Sequence, residues 1–217
     1  MALKNIVVVG AGGFAREVAW LIAELNRVKA QFQFLGFLVS DLSRLTDRDS
    51  RDQVLGDFSW LESNREVDAL ALGIGTPASK MKVTSELVVR FPQLEWPALI
   101  HPSVQFDRES AQLGQGVVLC AGTIGTVNLL LGDFAMVNLL CTLGHEARIG
   151  KCAVLNPTVN VSGGVEIGEC VLVGTGAQVL QYVRVGNGST IGAGAVVTKD
   201  VPPGTTAVGI PAKPLGH

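Results

Sequence analysis

The chain has 217 residues, 47% of them hydrophobic and 17% charged, enough apolar material for one large domain or two small ones. A formal net charge of −2 excludes the basic footprint of a nucleic-acid binder. No run reaches the roughly 18 uninterrupted apolar residues of a membrane span, and "MALKNIVVVGAGG" lacks the cleavage pattern of a signal peptide, so a cytoplasmic protein with no membrane partner is expected. Cys120, Cys141, Cys152 and Cys170 show no CxxC spacing and read as reduced thiols rather than metal ligands.

The predicted elements begin with a buried strand, "NIVVVG" (5–10), and a helix, "FAREVAWLIAELN" (14–26). "FQFLGFLV" (32–39) and "DALALGI" (68–74) follow as strands, and "PASKMKVTSELVVRF" (77–91) as a second helix. The polar stretch 40–53 reads as a surface loop. Strands alternating with helices predict a small parallel α/β sheet over residues 1–100. "GAGGFA" fits G-x-G-x-x-A after a strand and before a helix, the context for a phosphate cradle at a helix N-terminus.

Residues 101–217 contain no comparable helical pattern and instead repeat internally. Steps of six from Leu113 to Val197 meet fifteen positions, and all but Gly125 are aliphatic. Four residues after each, small or β-branched residues prevail, such as Ala135, Cys141, Ala147 and Ala153. Glycine follows Leu113, Leu131, Ile149, Ile167 and Val185, which stand 18 residues apart. Eighteen is three sixes, so each coil has three short strands and three turns, and coils stack about 4.8 Å apart into a triangular prism. Two places after each aliphatic, mostly polar residues mark the corners, and His145 is one of them. It therefore points outward. Position alone leaves an exposed surface histidine and a catalytic base as the two readings. Residues 18 apart share a corner, so Val127, His145, Gly163, Gln181 and Lys199 form one edge. Pro157, Thr175 and Ala193 form another.

The segment from "IGECVLVGTGAQVL" to "AVGIPAKPL" resembles the hexapeptide-repeat acyltransferases. With "VVVGAGGFAREV" in front, the whole chain resembles the bacterial sugar O- and N-acetyltransferases of the sialic-acid acetyltransferase and nucleotide-amino-sugar N-acetyltransferase group. The resemblance implies a Rossmann-like α/β nucleotide-sugar-binding domain at 1–100, then a left-handed parallel β-helix at 101–217. The latter would be an acetyl-CoA-binding catalytic domain. It also implies a homotrimer, with acetyl-CoA as co-substrate and no metal. Asn138, His145, Glu146, Ile149 and Gly150 match the family's pattern, in which the histidine is the general base and its acidic neighbour orients it. Several relatives carry a second histidine where this chain has Val154.

By the same resemblance, Gly174, Thr175, Gly176, Ala193, Gly194 and Lys199 match coenzyme-binding positions, with Lys213 near the C-terminal cover. For these glycines tight turns are the alternative reading, and for the lysines plain solvation. Gly12, Gly13, Phe14, Ser40, Asp41 and Gly75 match substrate-binding positions. Relatives often have histidine at Phe14 and an acidic pair at Val39–Ser40, which leaves the nucleotide open. The resulting expectation is N-acetylation of a nucleotide-linked amino sugar, with sugar O-acetylation as the alternative. A non-catalytic trimeric sugar-binding scaffold and a zinc hydrase are further readings; the hydrase needs three histidine ligands, and only His145 lies inside the repeat.

Overall fold

The computed structural model describes residues 2–215 except 48 and 50. Four parallel strands form the first sheet: β1 (Lys4–Val9), β2 (Phe32–Val39), β3 (Val54–Asp57) and β4 (Ala69–Leu72), in the order β3-β2-β1-β4. Ile6 to Val9 are fully buried, because a central parallel strand is covered on both faces. Helix α1 (Gly13–Val28) lays Ala15, Val18, Leu21 and Ile22 against the core. Helix α3 (Pro77–Arg90) opens with proline in its first turn, where a missing N–H costs nothing. Strand β3 and the single-turn helix α2 (Trp60–Ser63) escape sequence reading, since four residues are too few to show a period. The predicted loop 40–53 carries two 3-10 turns, Leu42–Arg44 and Arg51–Gln53.

Strand β5 (Leu99–Ile100) opens a three-faced left-handed β-helix. Fifteen two-residue strands follow at six-residue intervals, from β6 (Gln112–Leu113) to β20 (Val196–Val197). Parallel pairs join residues 18 apart, as in Leu143 with Val161 and Val161 with Val179. The second residue of every strand is the predicted aliphatic column, and it forms one core with Ala135, Cys141, Ala147, Ala153 and their equivalents. Strands β21 (Thr206–Val208) and β22 (Lys213–Pro214) extend one face. Among the described residues, no helix lies beyond Arg90 and none is long and apolar enough to cross a membrane.

The corners hold a feature that the residue types concealed. From Gly116 to Gly194 every sixth residue has positive φ, and eight of these are not glycine, including Phe134, Glu146, Cys152 and Tyr182. Left-handed backbone costs a side-chain-bearing residue about 1–2 kcal/mol. A hydrogen bond to the coil before offsets it: the Glu146 N–H donates to the Val127 carbonyl at 3.0 Å, and the Cys152 N–H to that of Asp133 at 2.9 Å.

The two halves share their cores. Val118, Met136 and Val154 project from one face of the prism and are buried with α1 residues. Phe134 and Cys152 pack with Val83 and Leu87 of α3. Trp96 meets Phe134 edge-on at 5.1 Å, and the Thr84 Oγ1 lies 3.8 Å from the Cys152 Sγ. Lys80 of α3 is fully buried in this seam, and its Nζ has no hydrogen-bond partner among the described residues. Burial lowers its pKa to about 8.

Candidate active site on the edges of the β-helix

His145 sits at a corner, between the strands Thr142–Leu143 and Arg148–Ile149. Its side chain is 54% exposed and that of Glu146 58%; His145 Nδ1 lies 3.6 Å from Glu146 Oε2. The left-handed backbone of Glu146 turns its carboxylate back to the imidazole of the preceding residue. Asn138 is buried, and its Oδ1 accepts from the Leu139 N–H at 2.8 Å, so it shapes the preceding corner. Val154 is fully buried beneath α1, away from the His145 edge of its own chain.

Thr175 and Ala193 are exposed on the next edge, beyond the face formed by the strands Thr142–Leu143, Asn160–Val161 and Gln178–Val179. Gly176 and Gly194 occupy the left-handed positions of that edge, and their N–H groups donate to the Pro157 and Thr175 carbonyls. A Cβ added at Gly194 would meet nothing within 4 Å, and one at Gly174 would lie 2.5 Å from the Ala193 nitrogen. This edge is therefore smooth, closely stacked backbone. Lys199 stands on the His145 edge rather than with Thr175, whereas Lys213 lies in β22. Both lysines are exposed.

In the N-terminal half, a cavity of about 240 Å³ opens at the C-terminal ends of the strands. Gly10, Ser40, Asp41 and Asp49 line it. Gly10 has φ +114, and a Cβ there would lie 2.8 Å from the Gly73 carbonyl oxygen, which accounts for the first glycine of "GAGG". Gly12 caps α1 without a side-chain bond and the first turn holds no acidic residue, so among the described residues no side chain caps the helix, which presents its positive dipole end there. Gly13 is its first residue, Gly75 precedes α3, and Phe14 packs partly buried against the α1 cluster. Asp41 accepts from the Ser43 N–H and Oγ–H at 2.9 and 2.6 Å. Asp49, hidden in the stretch read only as loop, is held below the usual carboxylate range mainly by its bonds from Thr46. Its one sequence signal was a Thr three residues earlier.

Burial pushes the Cys120 and Cys141 thiols up to about 12 and 11, which makes them inert core residues. Among the described residues, no group of three or more His, Cys, Asp or Glu is placed to hold a metal ion.

Residues 164–199 match the family described as bacterial transferase hexapeptide (six repeats). A search of curated proteins found no match. The acetyltransferase domain of PglB from Neisseria gonorrhoeae is 31% identical, with TM-score 0.84, over 98% of this chain and 100% of that one. PerB from Caulobacter crescentus, solved with CoA and GDP-perosamine, is 28% identical, with TM-score 0.86, over 99% of each chain. WeeI from Acinetobacter baumannii is 29% identical, with TM-score 0.84, over 98% of this chain and all of that one. By identity, coverage and architecture together, the chain belongs to the bacterial sugar acetyltransferases built on a left-handed β-helix of hexapeptide repeats.

Proposed function

We propose that the protein transfers the acetyl group of acetyl-CoA to the amino group of a nucleotide-linked amino sugar. The observation that carries this reading is an exposed His145–Glu146 pair on a chain similar throughout to PerB, solved with CoA and GDP-perosamine. The solved Caulobacter structures include variants of one histidine, which fits a histidine-dependent site. The acceptor amine attacks the thioester carbonyl, and the C–S bond breaks as the N–C bond forms. His145 takes the proton that the amine loses and passes it to the departing CoA thiolate. Glu146 faces the ring at Nδ1 and orients it. At the other end of the acceptor, the α1 N-terminus with Gly12 and Gly13 receives the diphosphate, and Ser40 and Asp41 receive the nucleoside. A thiol-release assay with acetyl-CoA should show turnover with one or more nucleotide-linked amino sugars and none with counterparts that carry a hydroxyl in place of the amine. Turnover confined to hydroxyl acceptors would establish O-acetylation instead.

The two edges belong to different subunits in this reading. Within one chain a whole prism face separates His145 from Thr175 and Ala193. Threefold packing is heterologous and sets one edge of each chain beside a different edge of the next. Inactive His145→Ala chains mixed with Ala193→Trp chains, blocked at the coenzyme edge, should regain part of the activity in hybrid trimers. A fully active monomer, or no rescue in verified hybrids, would place the whole site within one chain.

A further inference from the structure

We infer that Gly163 is a positioning residue for His145: the absent side chain at 163 is the seat on which the imidazole lies. Gly163 follows His145 by 18 residues and so stands directly behind it on the same edge. A Cβ built at Gly163 would come within 2.3 Å of His145 Nε2, 2.5 Å of Cε1 and 2.8 Å of Cδ2. The ring thus lies against the bare α-carbon with Nε2, Cε1 and Cδ2 nearest to it, while Nδ1 faces Glu146.

This glycine differs from its neighbours in what it protects. A Cβ at Gly144 would strike the Gly163 nitrogen at 2.4 Å, and one at Gly150 the Gly168 carbonyl carbon at 2.5 Å, so those glycines keep the coils closed. At Gly163 the nearest atoms all belong to one half-exposed side chain, and the backbone is not left-handed, so the chain itself admits alanine. The fold accommodates the methyl group by releasing the ring. Gly164 repeats the arrangement in the other direction: its Cβ would lie 2.4 Å from Cδ1 of Tyr182, on the following coil. The Gly163–Gly164 pair therefore seats one exposed ring from the coil before and one from the coil after.

The inference rests on the proposed role of His145, and the experiment separates the two. In the full-length Gly163→Ala protein the His145 ring signals, assigned by their loss in His145→Ala, should shift in a proton–carbon NMR spectrum. Gly164→Ala should leave those signals in place. The kcat should fall about 10- to 100-fold while KM for acetyl-CoA changes little, the scale expected for a base displaced by about 1 Å. In a His145→Ala background, Gly163→Ala should cost no further activity. Unshifted ring signals or a wild-type kcat in Gly163→Ala would overturn the inference. Shifted signals with a fully active His145→Ala protein would keep the seat and sink the catalytic role. If Gly163→Ala lowers Tm, recovery in the double variant traces the clash to the ring, and no recovery overturns the proposal.

Discussion

His145→Ala should lower kcat at least about 10²-fold, the usual loss when a general base is removed. Acetyl-CoA binding should change little, because in the proposed site the coenzyme lies along the backbone of the edge that carries Thr175, Gly176, Ala193 and Gly194 and is not held by the imidazole. Stability should hold as well, since more than half of the side chain faces solvent. Glu146→Gln should cost less than His145→Ala, because the carboxylate acts on the ring and at 3.6 Å is not directly bonded to it. Single-turnover rates together with coenzyme binding by calorimetry separate the two effects. Near-full turnover in His145→Ala would reduce the histidine to a surface residue.

The second large effect concerns stability. Lys80 is wholly buried in the seam between the halves, its amine has no hydrogen-bond partner among the described residues, and its pKa is about 8 against an ordinary 10.5. Below pH 8 the ammonium is charged in both the folded and the unfolded chain, and folding bears the full cost of burying it. Between pH 8 and 10.5 the folded chain has lost the proton while the unfolded chain keeps it, so stability rises with pH. Above 10.5 both are neutral and the cost is gone. Lys80→Met should therefore stabilise the protein at pH 7 by on the order of 3 kcal/mol, or about 5–10 °C in Tm. That advantage should shrink through pH 8–10.5. Burial pushes the Cys120 and Cys152 thiols up while the Lys80 charge pulls both back down, so their titration adds to the difference between the two proteins rather than cancelling in it. Chemical denaturation of both proteins across this range tests it. An equal stability at pH 7, or a gap that ignores pH, would mean that the amine reaches water or a partner in solution.

The prism was legible in the residues because its period is local. Six residues make one strand and one turn, so the column from Leu113 to Val197, the corners and the 18-residue edges can all be counted along the chain. Outward placement of His145 followed from that count, as did the glycine cradle at the start of α1 from strand, glycines and helix in succession. Other features depend on what each surface meets. Val118, Met136 and Val154 hold the same register positions as Ile124, Thr142 and Asn160, and only the docking of α1 and α3 decides which face is covered. Lys80 has the pattern of an exposed helical lysine and becomes buried because the prism lies against α3. The left-handed corners at Phe134, Glu146 and Tyr182 come from coil-to-coil hydrogen bonds rather than from residue preference. The seat of His145 on Gly163 likewise arises from stacking, since contact across 18 residues exists only once one coil lies on the next.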